Sequence, residues 1–125
     1  MTDTRPLIVV VEDDAGMRRA LQRLLRVSGF DTLAFESAEA FASANDARVP
    51  DCLVLDVQLS GVSGPQFYEQ LGGLRPPAVF ITSHDSQATR NAIINAGGLE
   101  LLTKPFVASD LLEAISRALS RGSPP

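Results

Sequence analysis

Acidic side chains follow two apolar runs of this sequence, and carboxylates in such positions can bind a divalent cation. Glu12 and Asp13 come directly after Leu7–Val11, and Asp56 comes directly after Cys52–Leu55. If these runs are neighbouring strands, each pair of carboxylates about 4 Å apart repels by roughly 4 kcal/mol at an effective dielectric constant of about 20. The cluster therefore needs a cation or a proton. Oxygen donors suit Mg²⁺, whereas Zn²⁺ prefers nitrogen and sulfur.

A hydroxyl and an ammonium group follow two further apolar runs. Thr82 comes after Ala78–Ile81, and Lys104 follows Leu99–Leu102 after one intervening threonine. An aspartate can act as a nucleophile and form an acyl phosphate, and the remaining work is positioning and charge neutralisation. Lys104 would act as a point charge on one phosphoryl oxygen, and Thr82 would donate a hydrogen bond to another. These residue types predict a phosphoryl-transfer site in which an aspartate is the nucleophile.

Five short apolar runs alternate with helical segments, which predicts an α/β fold. The runs are Leu7–Val11, Thr32–Phe35, Cys52–Leu55, Ala78–Ile81 and Leu99–Leu102. Several are near-continuous, as in strands buried on both faces of a parallel sheet, so a doubly wound (βα)₅ plan with helices on both faces follows. Ligands bind outside the carboxyl ends of such strands, so the polar residues should meet at one sheet edge. The second run supplies none of them, as expected of an edge strand.

The helical segments have recognisable ends and cores. Ser37 is a predicted N-cap for a short helix that buries Phe41, and Pro65 suits the first turn of a helix that stops at Gly72–Gly73. The segment Ser86–Ala96 is the weakest. Its core candidates are Ala92, Ile93 and Ala96. Residues 1–121 are predicted to form the domain, and 122–125 a tail or the start of a linker.

Composition limits the class of protein. The chain has 125 residues, 45% hydrophobic content and a net charge of −4, which fits one domain and argues against a nucleic-acid footprint. The single cysteine, Cys52, excludes an internal disulfide, should behave as a small buried hydrophobe and fits a cytoplasmic setting. No signal peptide or membrane span is predicted. An arginine stripe is expected on the solvated face of the first helix; it consists of Arg18, Arg19, Arg23 and Arg26.

The sequence resembles the receiver domain of two-component response regulators, especially the FixJ-like group, from Leu7 to about Leu119. The motifs are Val10–Asp14 (VVEDD) with Arg18, Leu55–Leu59 (LDVQL) with Gly64, Ile81–His84 (ITSH) and Thr103–Phe106 (TKPF). The resemblance implies a flavodoxin-like (CheY-like) fold with strand order 2-1-3-4-5. It also implies phosphorelay signalling, in which a histidine kinase supplies a phosphoryl group in a Mg²⁺-dependent reaction and the output surface then switches.

The resemblance assigns roles at the matching positions. Asp56 is the implied phosphoacceptor. The implied Mg²⁺ ligands are Asp13, Asp56 and the backbone carbonyl of Gln58, with Glu12 acting through water. Lys104 would contact the phosphoryl group. Thr82 would move toward it.

Three further positions carry implied properties. The Lys104–Pro105 bond is usually cis in this family, which proline permits. Gln58 and His84 flank the phosphoryl site and tend to tune the lifetime of the phosphorylated state.

Three positions depart from the family pattern. Ser60 replaces a frequent proline, Val107 replaces a common Ser/Thr cap, and Leu101 replaces the Phe or Tyr that partners the switch threonine. An aromatic swing therefore cannot be the readout, although Leu101 can repack. We expect phosphorylation to draw Thr82 inward and to shift the surface made by Ser86–Ala96, the fifth strand and the last helix.

The resemblance also implies partners. A histidine kinase is the phosphodonor. A C-terminal DNA-binding output domain in a longer chain, transcription regulation and a phosphorylation-dependent homodimer are expectations of the same kind. The domain itself is expected to be cytoplasmic, to bind neither membrane nor nucleic acid, and to be no enzyme beyond its own phosphoryl transfer and autodephosphorylation.

Three alternative functions are open at this stage. A haloacid-dehalogenase-type phosphatase needs an acid two residues after its nucleophile, where this chain has Gln58. A flavodoxin-like cofactor module needs a loop rich in Gly, Ser or Thr after the first strand, where this chain has Glu12–Asp14. A phosphorylation-independent interaction domain on the receiver fold is kept open by Leu101 and Ser60.

Overall fold

A computed structural model describes residues 5–44, 48–72 and 75–122, in which strands and helices alternate. The elements are β1 Leu7–Val11, α1 Ala15–Val27, β2 Asp31–Phe35, α2 Ala38–Ser43, β3 Cys52–Asp56, α3 Gly64–Gln70, β4 Ala78–Thr82, α4 Gln87–Asn95, β5 Glu100–Thr103 and α5 Ala108–Gly122. The strands pair in parallel in the order β2-β1-β3-β4-β5. This confirms the predicted fold class and strand order, with β2 at an edge.

The two faces of the sheet carry separate hydrophobic clusters. Alternate residues of β1 point to opposite faces, so Val9 belongs to the cluster with α2, α3 and α4, whereas Val10 belongs to the cluster with α1 and α5. Helices therefore cover both faces. Every residue of β1, β3 and β4 is buried, which explains why these strands are apolar up to the polar last residues of β3 and β4.

Side chains cap the N-termini of α1, α2, α3 and α4. Asp14, Ser37, Ser63 and Ser86 each accept a backbone N–H from the first turn of the helix that follows. Ser37 confirms the predicted cap of α2. Ser63 was not predicted, and it forms a reciprocal capping box with Gln66 ahead of the predicted Pro65. These caps satisfy backbone donors that a helix start leaves unpaired.

Two local predictions were wrong. The fifth strand begins at Glu100, because the ladder with β4 starts there, and Leu99 is 71% exposed before it. In α4, Ile93 and Ala96 are buried as predicted, but Ala92 is exposed because the inward face of this helix is centred on Ile93.

The predicted end of the third helix at Gly72–Gly73 and the predicted tail 122–125 lie only partly within the described residues. The α3 helix ends at Gln70, and Gly72 has a positive φ of 82°, whereas Gly73 lies outside the described residues. Gly122 is the last residue of α5, and 123–125 lie outside the described residues, so the domain boundary stays a prediction. None of the described helices has the length and apolarity needed to cross a membrane.

Candidate functional site

Three acids meet at the carboxyl edge of β1 and β3. These strands are neighbours, with Val11 paired to Leu55, so the residues that follow this pair in each chain segment are brought together. One carboxylate oxygen from each of Glu12, Asp13 and Asp56 lies within 4.8 Å of the other two. The topology thus assembles the acidic cluster that the strand ends predict.

Burial raises the free-energy cost of keeping these three carboxylates ionised side by side. Glu12 is fully buried and Asp56 is 4% exposed, whereas Asp13 is exposed. Burial raises the pKa of Glu12, and its hydrogen bond with Asp56 raises that pKa further, more than Lys104 and the backbone N–H of Asp14 lower it. The three carboxylates therefore need more positive charge than their immediate protein neighbours provide.

Lys104 supplies the ammonium group at this edge. Its Nζ lies 2.9 Å from Oε1 of Glu12 and 3.3 Å from Oδ2 of Asp56. Burial by itself lowers the pKa of Lys104, but the hydrogen bond to Glu12 and the charge of Asp56 outweigh it, so the net direction is upward. The Lys104–Pro105 peptide bond is cis, the isomer that the resemblance implies.

The donor set fits a hard divalent cation. One ammonium facing three carboxylates leaves a net charge of about −2 if all of these groups are ionised. Carboxylate oxygens, with the exposed Asp13 open to water, are the ligands that Mg²⁺ takes in proteins. Histidine and cysteine ligands, which would favour Zn²⁺, do not belong to this cluster of described residues.

Thr82 ends β4 beside this cluster and is fully buried. Its hydroxyl lies 3.1 Å from Oε1 of Gln58 and 3.2 Å from the carbonyl oxygen of His84, and it accepts the backbone N–H of His84. The backbone N–H of Gln58 donates to Oδ1 of Asp56 at 3.1 Å. Gln58 therefore bridges the candidate acceptor and the candidate switch hydroxyl, a contact that sequence reasoning did not find.

Arg18 and Gly64 contact the backbone of the loops that hold the acids. Arg18 donates to the carbonyl oxygens of Glu12 at 2.9 Å and Asp13 at 3.4 Å, although it was expected on a solvated helix face. A Cβ at Gly64 would collide with the backbone carbonyl of Asp56. The spacing of Arg18 from Asp13 and the presence of Gly64 were visible as motif residues, but their physical tasks were not.

The remaining predicted residues lie around the cluster rather than in it. The hydroxyl of Ser60 lies 3.5 Å from Oδ2 of Asp13, a weak contact. His84 is exposed, and its backbone N–H and carbonyl oxygen are hydrogen-bonded to the hydroxyl of Thr82. Leu101 is partly buried and packs against the α4 side of the core. Together with Ile94, it lines a cavity of about 450 Å³. The structure thus places Leu101 next to α4.

Comparisons with known proteins match this chain over most of its length. The family model described as the response regulator receiver domain matches residues 8–116. Nodulation protein W of Bradyrhizobium diazoefficiens is 38% identical over 120 residues, which cover 94% of this chain and 53% of that protein. Transcriptional regulatory protein TdiR of Thauera aromatica is 32% identical over 95% of this chain and 53% of that protein. The chain thus spans about half the length of these curated relatives. The structure of a response regulator receiver protein from Burkholderia phymatum is 36% identical, with a TM-score of 0.82, and the match covers 93% of this chain and 96% of that one.

Proposed function

Because this chain belongs to the response regulator receiver domain family, we propose that it is a phosphorelay switch that takes a phosphoryl group on Asp56. One piece of geometry carries the proposal. The carboxylate of Asp56 lies 3.3 Å from the ammonium of Lys104 and within 4.8 Å of two further acids. A nucleophile, a cation for the phosphoryl oxygens and ligands for a divalent ion are therefore in one place.

The residues of the cluster would divide the work of metal binding. Asp13 and Asp56 would hold Mg²⁺ directly, together with the backbone carbonyl of Gln58, and Glu12 would act through water. The bound ion would neutralise charge on the transferring phosphoryl group. Without it, the carboxylates would repel an incoming phosphate, so phosphorylation should depend on the ion.

The transfer itself needs one nucleophile and one leaving group. An oxygen of Asp56 attacks phosphorus, the new O–P bond forms as the P–N bond of a phosphohistidine breaks, and the histidine nitrogen keeps the bonding electrons. Lys104 would shift from the carboxylates toward a phosphoryl oxygen. Hydrolysis of the acyl phosphate returns the carboxylate, so the domain acts on itself rather than on a released substrate.

Switching would begin with a change of hydrogen-bond partner at Thr82. Its hydroxyl now lies 3.1 Å from the side chain of Gln58, and a phosphoryl oxygen on Asp56 would compete for it. Because Thr82 is directly followed by the loop into α4, its movement would shift that loop. Leu101 packs beside α4 and could repack in response. Gln58 and His84 would then influence how long the state lasts.

The coverage of the relatives supports a larger assembly. One matched relative is named a transcriptional regulatory protein, and the chain spans about half of it. We therefore propose a cytoplasmic regulator with a histidine kinase as phosphodonor and a DNA-binding output domain in a longer chain. A phosphorylation-dependent homodimer and a place in the FixJ-like group are parts of the same proposal.

Incubation with acetyl phosphate and Mg²⁺, followed by intact mass measurement, tests the proposal. The wild-type chain should gain one hydroxylamine-labile phosphoryl group, and this gain should be absent with EDTA and in Asp56→Asn. Asp85→Asn, which alters an exposed acid paired with Arg90, should label like the wild type. Equal labelling of Asp56→Asn would reject Asp56 as the acceptor. Failure of the wild type to label would favour a phosphorylation-independent interaction domain.

A further inference from the structure

A cavity with both polar and apolar lining residues lies at the opposite end of the sheet from Asp56. It has a volume of about 480 Å³ and is bordered by the first residues of β1 and β2. Its polar lining includes Arg5, Arg26, Arg48 and Thr32. Three guanidinium groups on one cavity are notable in a chain whose net charge is −4.

The three arginines differ in how many hydrogen bonds their guanidinium groups donate. Arg48 donates to Oδ2 of Asp31 at 2.6 Å and to the backbone carbonyl of Arg5. Among the residues that the structure describes, the guanidinium of Arg26 makes one long contact, 3.5 Å to the carbonyl oxygen of Thr32. Within the described residues, the guanidinium of Arg5 has no ion pair. With Asp31 counted, the lining carries a charge of +2.

Thr32 adds an independent observation. This residue is 5% exposed, and its hydroxyl oxygen has no hydrogen-bond partner among the described residues. Buried hydroxyl groups are nearly always hydrogen-bonded, so an unpaired one needs a reason. Thr32 also lines the cavity, although its hydroxyl oxygen is buried beneath the surface. A ligand oxygen beside β2 would give this hydroxyl an acceptor once a neighbouring side chain moves aside.

We propose that this cavity binds a dianionic phosphate group, as free phosphate or as a small phosphate monoester. Guanidinium groups bind phosphate oxygens through paired N–H donors, and a dianion would balance the charge of the lining. The oxygens of a tetrahedral phosphate point in three directions, so they suit two guanidinium groups and a hydroxyl that approach from different sides, whereas the acceptor sites of a carboxylate lie in one plane. This site is separate from the acidic cluster and does not depend on phosphorylation of Asp56.

Amide NMR titration with inorganic phosphate tests the site, in EDTA at constant ionic strength. We expect saturable shifts at Arg5 and at Phe30–Leu33, while Glu12–Asp14 stay unchanged. Acetate at the same concentration should produce little shift. A parallel titration with glycerol phosphate separates the two sources, because tighter binding of the ester assigns a monoester and weaker binding assigns free phosphate. Shifts that rise linearly without saturation would overturn the proposal.

Substitutions separate binding from structure. Arg26→Gln and Arg5→Gln should each weaken phosphate binding by about tenfold, because each removes a charged donor. Arg23→Gln, on the exposed side of the same helix as Arg26 and outside the cavity lining, should bind like the wild type. Equal affinity in all three variants would overturn the proposal. Arg5 is exposed outside any helix or strand, so Arg5→Gln tests it even if Arg26→Gln fails to fold.

Thr32→Val distinguishes a hydroxyl that binds phosphate from one that has only a structural role, because only the former changes the affinity for phosphate. Valine has nearly the same shape and leaves no unpaired hydroxyl, so the ligand-free variant should have a thermal midpoint equal to or above that of the wild type. Its affinity for phosphate should nevertheless fall severalfold. An unchanged affinity would remove Thr32 from the site and leave the unpaired hydroxyl without a ligand.

Discussion

Replacement of Asp13 by asparagine should stabilise the protein when divalent cations are absent. An oxygen of Asp13 lies within 4.8 Å of oxygens from both Glu12 and Asp56. Each such pair repels by about 0.9 kcal/mol at the dielectric constant of water and by about 3.5 kcal/mol at an effective value near 20. Asp13 is exposed, so screening keeps each pair near the lower figure. Asp13→Asn should therefore raise the free energy of unfolding by about 2 kcal/mol.

Addition of Mg²⁺ should remove this advantage. The wild type should gain about 2.7 kcal/mol at a Mg²⁺ concentration one hundred times its dissociation constant, whereas the variant has lost a charged ligand and should gain far less. Urea unfolding followed by circular dichroism, in EDTA and in Mg²⁺ at equal ionic strength, measures both differences.

Asp14→Asn is the matched control for this experiment. It removes the same charge from the next residue, and asparagine preserves the N-cap of α1. Its stability should change little in EDTA, and Mg²⁺ should stabilise it as it does the wild type. A less stable Asp13→Asn in EDTA, or equal stabilisation of all three proteins by Mg²⁺, would refute the reasoning.

Other parts of the fold give further predictions. Burial raises the pKa of Cys52 to about 12, so its thiol should resist iodoacetamide at pH 8 until urea unfolds the chain. Fast labelling of the folded protein would contradict this. The hydrogen bond from Arg117 lowers the pKa of Glu100 more than partial burial raises it. The ionised Glu100 therefore stabilises the fold fully above its pKa in the unfolded chain, and this stabilisation is lost as the pH falls through its pKa in the folded protein. Glu100→Gln should cost about 0.5–1 kcal/mol in urea unfolding at pH 7, and a difference that failed to shrink below about pH 4 would be inconsistent with it. Gly64→Ala should destabilise the fold by about 1–3 kcal/mol and slow labelling by acetyl phosphate, because its Cβ would meet the carbonyl of Asp56.

The fold could be predicted because the central strands are unambiguous in sequence. The strands β1, β3 and β4 are buried along their whole length, so nearly every residue in them is apolar. Parallel strands end at the same edge of the sheet, and this rule alone places Glu12, Asp13, Asp56, Thr82 and Lys104 together. At the edge strand β5, the apolar Leu99 is exposed before the ladder begins at Glu100, so apolarity alone places the start of the strand one residue early.

The contacts inside the site could not be predicted in the same way. A strand-end position does not tell which oxygen a side chain will meet, so the bridge from Gln58 to Thr82 and the position of Lys104 between Glu12 and Asp56 required coordinates. Arg18 illustrates the same limit. Helical periodicity placed it on a solvated face, but its long side chain reaches back to the carbonyl of Glu12.

Borohydride trapping of the phosphorylated protein tests the central claim most directly. Borohydride reduces an aspartyl phosphate to homoserine, so peptide mass spectrometry after treatment with acetyl phosphate and Mg²⁺ reads out the acceptor residue. We predict homoserine at position 56, in place of Asp56, and unmodified aspartate at position 13. Homoserine at any other position, or none in a chain that has demonstrably bound Mg²⁺, would contradict the assignment.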